Sequence, residues 1–102
     1  MEKKFVLVKI IIHKVFARSK GSYYNHSVKI SVTEFVFDDE ETAKKECSKK
    51  QIQLQIRETT IPVRADFDKT QLHVLPCTVI DQKVYLGKAD LDQLQILLAA
   101  GN

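Results

Sequence analysis

Tryptophan is absent from this 102-residue chain, and cysteine, proline and glycine are scarce at two, two and three residues. Two cysteines, Cys47 and Cys77, are too few for a disulfide scaffold, and their separation fits no zinc pattern. They read as free thiols packed as small apolar side chains, and a reducing cytoplasm is the expected compartment. So little Gly and Pro leaves no flexible linker, no low-complexity run and no internal repeat, so a single domain over 1–102 is expected. No apolar run approaches the roughly 20 residues that a membrane-spanning helix needs, so no membrane partner is expected. Phe5 to Ile12 is apolar enough to suggest a targeting segment. Lys9 interrupts it, no small-residue cleavage site follows, and the run passes directly into alternation, so it reads as folded structure.

Catalytic signatures are also missing. There is no Gly-x-Ser-x-Gly elbow, no glycine-rich phosphate loop and no His-Glu-x-x-His. A non-enzymatic protein with no cofactor and no metal is therefore expected. His13 and His26 could face each other across a hairpin, as a metal-binding or acid–base pair would require. No carboxylate or thiol lies near them in sequence, so both read as structural. Asp66 and Asp68 read as solvated loop acids, and His73 as an isolated residue on a solvent face.

What is present is a long apolar ribbon and an uneven charge. Residues 1–29 hold seven basic side chains (Lys3, Lys4, Lys9, Lys14, Arg18, Lys20, Lys29) against Glu2 alone, a net of +6. Residues 30–102 hold nine basic and twelve acidic side chains, a net of −3, giving the whole chain +3. Such asymmetry gives electrostatic steering a direction.

Lys4 to Arg18 reads as a strand with Val6, Val8, Ile10, Ile12 and Phe16 on one face. Phe5, Leu7, Ile11 and Val15 share the other face with Lys9 and His13. Apolar residues on both faces mark a central strand. Ser27 to Phe37 reads as its hairpin partner, with Val28, Ile30 and Val32 on one side. The phase slips near Glu34-Phe35, where a bulge would re-aim the side chains. Ser19 to His26 is left as the hairpin tip.

Asp38 reads as the cap of a helix, with Glu41 completing a capping box. Ala43 and Cys47 form its narrow apolar stripe. Glu40–Lys44, Glu41–Lys45 and Glu46–Lys50 sit at i,i+4 spacing. Gln51 to Arg57 alternates strictly and predicts a strand with Ile52, Leu54 and Ile56 inward, with a continuation of the helix open at its start. Ile61, Val63, Ala65 and Phe67 suggest a short extended piece, and Asp66 to Gln71 a polar loop. Leu72, Val74, Val79 and Ile80 predict a strand broken at Pro76. Asp81-Gln82 is a tight turn into Lys83 to Leu86, which Gly87 ends. Asp90 reads as the cap of a final helix with Leu91, Leu94, Leu97 and Leu98 at core spacing, closed by Gly101. The fold class expected is α+β: a mostly antiparallel sheet with a long N-terminal β-hairpin and two helices, in the order ββαβ(β)ββα. Helices on one face would be the economical packing.

Leu75-Pro76-Cys77-Thr78-Val79-Ile80-Asp81-Gln82-Lys83-Val84-Tyr85-Leu86-Gly87, with Asp90-Leu91 after it, resembles the C-terminal part of glutaredoxin-like proteins. With the helix that Asp90 opens, the likeness covers about a quarter of the chain. That family carries its active cysteine at the start of the first helix after the first strand. This chain has a cysteine-free hairpin there, so no membership and no redox role follow.

Lys14, Arg18, Lys20, Tyr23, Tyr24, His26 and Lys29 are the candidate binding residues. Cations neutralise phosphates and aromatic faces stack on unpaired bases, so nucleic acid or another polyanion, such as an acidic protein surface, is the expected partner. The plainer reading of the same tip is a solvated loop with its tyrosines folded back on the ribbon. The alternative function is a protein-interaction module, an adaptor or inhibitor of a larger enzyme or complex. It would act through a helix face or a sheet edge such as Gln51 to Arg57, with another protein or a second copy as partner.

Overall fold

A computed structural model describes residues 2–58 and 62–100, and side chains over 3–58 and 62–96. Six elements follow in order: β1 (Glu2–Ala17), β2 (Ser22–Phe37), α1 (Glu40–Glu58), β3 (Phe67–Ile80), β4 (Lys83–Leu86) and α2 (Lys88–Ala100). The four strands form one antiparallel sheet in the order β2-β1-β3-β4. The fold is thus the α+β arrangement expected, and no helix among the described residues is long and apolar enough to cross a membrane.

β1 is the central strand its two apolar faces predict. Val6, Val8 and Ile10 on one face and Leu7 on the other are all fully buried. The first face continues through Ile12, Cys77 and Leu94 as the main core, with Ile30, Val36, Leu75, Val79, Val84 and Leu86 packed against it. Leu94 brings α2 to this core face. α1 takes the opposite face, where its Lys50, Gln53, Leu54 and Arg57 share a hollow with Lys9 and Leu72. The helices therefore lie on opposite faces rather than one, because β1 and β3 each present apolar residues on both sides.

The slip near Glu34-Phe35 is a bulge. Val8 pairs with Val32 and Val6 with Val36, so four steps of β2 span two of β1. The Thr33 hydroxyl bridges the gap, donating to the Leu7 carbonyl at 2.7 Å and accepting the Phe35 N–H at 3.2 Å. A second shift leaves His26 as an extra residue, since His13 pairs with Ser27 and Lys14 with Asn25.

Four expectations from local pattern are corrected. Gln51 to Arg57 is helix, the second half of α1. Cys47, Gln51, Leu54 and Glu58 recur at helical spacing and face β3, but two of them are polar, which hides the periodicity. Ile52 and Ile56, expected inward, are 56% and 63% exposed. The expected polar loop from Asp66 becomes strand at Phe67, because pairing with apolar β1 from Lys14 to Ile10 overrides its own composition. Pro76 does not break the strand. It lies one residue beyond the Cys77–Leu86 pair that ends the β4 ladder, where the outer side of β3 has no ladder to serve. Val63 lies in a turn closed by Ala65 N–H to the Pro62 carbonyl, not in an extended piece; Ile61 lies outside the described residues.

The caps shift as well. Asp39, not Asp38, caps α1, accepting the Thr42 N–H at 2.9 Å and the Thr42 hydroxyl at 2.8 Å, and these bonds hold its carboxyl below the ordinary range. Asp38 instead meets Lys4 at 2.8 Å. Of the expected helix pairs, Glu40–Lys44 forms at 2.8 Å, while Glu46 turns to Lys49 and Lys50 lies 4.0 Å over the Phe35 ring. α2 begins at Lys88, before Asp90, with the Leu91 N–H bonded to the Gly87 carbonyl. The side chains of Leu97 and Leu98, and Gly101, lie outside the described residues. Asp81 and Gln82 both adopt positive φ, 50° and 66°, the mirror-image turn that a two-residue hairpin favours.

The outer side of β3 below its β4 ladder is sealed by α1. The Gln51 amide donates to the Thr70 carbonyl at 3.1 Å and accepts the Leu72 N–H at 2.7 Å, as a neighbouring strand's peptide would. Glu58 accepts the Thr70 N–H at 3.1 Å, and the Cys47 thiol donates to the Leu72 carbonyl at 3.4 Å. Gln51→Leu should therefore cost about 1–3 kcal/mol in urea unfolding, since it strands two backbone groups. The same change at exposed Gln55 should stay within about 0.5 kcal/mol; equal losses at the two positions would refute the sealing role.

His73 is not on a solvent face. Its register partner is Val8, on the core side, where it borders Leu75, Asp90, Gln93 and Leu94. Its Nε2 is buried without a hydrogen-bond partner, and desolvation lowers its pKa from the ordinary 6.5. On acidification the unfolded chain takes up this proton first. The stability tied to a neutral His73 is thus complete above pH 6.5 and is lost as pH falls through the lowered folded value. The urea midpoint should fall from pH 7 to pH 5, and less so in His73→Leu; parallel declines would exclude His73 as the cause.

Candidate polyanion-binding tip

The hairpin projects. The molecule spans 52 × 26 × 20 Å, and β3 accompanies β1 only as far as the Lys14–Phe67 pair. Beyond that, β1 and β2 continue alone to a loop of four residues, Arg18 to Gly21, shorter than the eight-residue tip expected. Its closure uses the Ala17 carbonyl twice, from the N–H of Lys20 at 3.1 Å and of Gly21 at 2.9 Å. Gly21 sits at φ +65°, where a side chain would strain the backbone although nothing lies within 4 Å of its Cβ position.

Tyr23, Tyr24 and His26 thus belong to β2 rather than to the loop, and strand alternation divides them. Tyr23 shares a face with Phe16 and Phe67, edge-on to both at ring centroid distances of 5.1 and 5.3 Å. Tyr24 and His26 share the opposite face, with rings 6.3 Å apart. Lys14, paired with Phe67, falls on the Tyr23 face; Lys29, paired with Ile11, falls on the other. The seven candidate residues therefore form no single patch. Arg18 and Lys20 occupy the exposed loop between two unlike faces. The expectation of folded-back tyrosines describes Tyr23 in part, yet it remains 37% exposed and Tyr24 49%.

The Tyr23 face gains residues that sequence order had kept apart. Arg64, at φ +66°, places its guanidinium 5.8 Å from the Phe16 ring centroid. Asp66 accepts the Phe16 N–H at 3.1 Å, tying the segment before β3 to the ribbon. Phe16, Arg18, Gly21 and Arg64 line a hollow of about 430 Å³. Two guanidiniums beside an aromatic ring suit a planar group that carries an anion. Phe16, Phe67 and Arg64 were not expected as binding residues. Phe16 looked like core, and Arg64 lies 46 positions after Arg18 with no motif between them.

On the other face, β3 brings Asp68 to His13. His13 Nδ1 lies 2.8 Å from Asp68 Oδ1, and the carboxylate accepts from the imidazole. The His13 and His26 rings meet edge to face at 5.8 Å. Among the described residues no three His, Cys, Asp or Glu side chains gather into a group that could hold a metal. Asp66 and Asp68, read as solvated, each hold a specific partner on β1. Cys77 is buried and Cys47 half-buried; burial pushes both thiols above their ordinary pKa, which weakens them as nucleophiles.

No family model matches this chain, and neither does any curated protein or solved structure. The glutaredoxin-like stretch from Leu75 is a local strand–hairpin–helix likeness within a sheet that is antiparallel throughout.

Asp66→Ala should loosen the tip without unfolding the sheet. Amide hydrogen exchange at Phe16 should accelerate while exchange at Val8 and Ile10 holds; unchanged exchange at Phe16 would show that the Asp66 bond does not order the ribbon.

Proposed function

We propose that this protein is a non-enzymatic binding protein that contacts nucleic acid, or a chemically similar polyanion, through its hairpin tip. The observation that carries the reading is the hollow between Arg18 and Arg64 over the Phe16 ring, at the end of a projecting ribbon. None of the described residues lining it is acidic. Lys20 adds an exposed cation on the loop, and Lys14 one beside the aromatic trio. Tyr24 offers an exposed ring for a base on the opposite side.

A single strand suits this geometry better than a duplex. Stacking on exposed rings requires unpaired bases and contributes about 1–3 kcal/mol per base. The phosphate contacts would be few, so affinity would be modest and steeply salt-dependent. The basic first third of the chain steers such a ligand toward the ribbon rather than toward the acidic remainder.

Fluorescence anisotropy with a short labelled single strand and its duplex tests this. Log affinity should fall with log salt between about 50 and 200 mM, with a slope near −0.7 for each phosphate engaged. Arg18→Glu with Arg64→Glu should weaken single-strand binding at least about tenfold, and Tyr24→Ala should weaken it with little change in salt slope. Absence of binding at low salt, or an Arg18/Arg64 variant that binds like the parent, would end this reading.

A further inference from the structure

Three stretches of backbone lie at the sheet's borders outside the tip, and two of them are managed. β4 is only four residues long, and the outer side of β3 carries the Gln51, Glu58 and Cys47 bonds from α1. The third is the outer side of β2, sixteen residues long. Among the described residues no strand pairs with it. β2 contains no Pro and no Gly, and its one lysine is Lys29. Val28 and Val32 lie along it on the core-facing side, 45% and 47% exposed. A long open edge bearing exposed β-branched residues is a template for another strand.

We propose that a second copy of this chain closes that edge, β2 against β2 in antiparallel register about a two-fold axis at Ile30. The register follows from the residues. A two-fold axis normal to the sheet keeps every side chain on its own face, so only registers centred on a residue are open. Centred on Lys29, the edge would set Lys29 against itself, and like charges directly opposite are destabilising. Centred on Ser31, only Ile30 to Val32 of the regular run would pair. Centred on Ile30, Val28 meets the partner's Val32 and Val32 meets the partner's Val28. Lys29 then meets Ser31.

The bulges narrow the choice to Lys29 and Ile30, the two centres that leave five residues to pair. β2 is regular from Ser27 to Val32, between the extra residue at His26 and the bulge that begins at Thr33. Ile30 lies inside this run, so the ladder would occupy the part of β2 whose outward groups repeat evenly. The outcome is one continuous sheet of eight strands, four from each copy. Ten residues separate Lys20 from Ile30, so at about 3.3 Å per residue the two tips would point in opposite directions about 65 Å apart. The tips stay uncovered, and the dimer stands or falls independently of what they bind.

Sedimentation velocity of the full chain over a concentration series tests this. The parent chain should sediment as a reversible dimer. Val28→Lys with Val32→Lys sets lysine against lysine twice across the axis and should weaken the dimer at least about tenfold. Val28→Lys with Val32→Glu removes the same apolar area but sets lysine against glutamate twice, and should restore association to within about threefold of the parent. Circular dichroism establishes that both variants retain the fold. A parent chain that stays monomeric at every concentration overturns the proposal. So does a Lys/Glu variant that dissociates as readily as the Lys/Lys variant, since only the Ile30 register tells them apart.

Discussion

The structure depends on β1 being buried on both faces and paired on both sides. Val6, Leu7, Val8 and, past Lys9, Ile10 have no exposed surface. Burying a side chain of this size contributes about 1.5–3 kcal/mol, against about 0–1 kcal/mol for an exposed ion pair such as Lys4–Asp38. With both faces apolar, one helix cannot cover the strand. α2 supplies Leu94 to one side, and α1 lies over the other, above Lys9 and Leu72. The placement of the two helices on opposite faces is thus a consequence of apolar residues on both faces of the first strand.

The same demand explains which parts of the fold are legible in the chain and which are not. β1, β2, the slip near Glu34 and the Asp81-Gln82 turn are readable because their own residues carry the pattern: β-branched alternation, a break in phase, a polar pair between apolar runs. α1 beyond Lys50 and β3 before Leu72 are not, because each is defined by its neighbour. Gln51-Ile52-Gln53-Leu54-Gln55-Ile56 alternates as a strand would. Its inward positions are Gln51, Leu54 and Glu58, whose polar ends serve the backbone of β3. Asp68, Thr70 and Gln71 look like loop and become strand because β1 supplies their partners, His13, Ile11 and Ile10. Polar side chains that satisfy backbone groups are invisible to any reading based on hydrophobic period.

The tip shows the same division. Its cations and tyrosines stand together in sequence, yet consecutive strand residues point to opposite faces, so Tyr23 and Tyr24 part company. What fills the Tyr23 face comes from the far side of the sheet. Phe67 arrives through the last register pair of β3, and Arg64 through the turn before it. A compact run of seven candidates therefore becomes a two-sided ribbon whose better-formed side is completed by Phe16, Phe67 and Arg64.

Both irregularities of the β1–β2 ladder put their extra residues in β2, and this has a structural cause. β1 is clamped between two partners, so an extra residue there would break pairing on both sides; β2 has a partner on one side only and can absorb it. The bulge at Thr33–Phe35 turns the Phe35 ring toward Lys50 and anchors β2 to the first half of the molecule. The extra residue at His26 resets the alternation, so that Tyr23 falls in with Phe16 and Phe67 instead of facing away from them. Without that reset, Tyr24 would take the place of Tyr23 in the trio, leaving Tyr23 on the His13 face. A single inserted residue in the edge strand thus decides which aromatic ring is held and which is offered to a partner, while the central strand stays regular at that point.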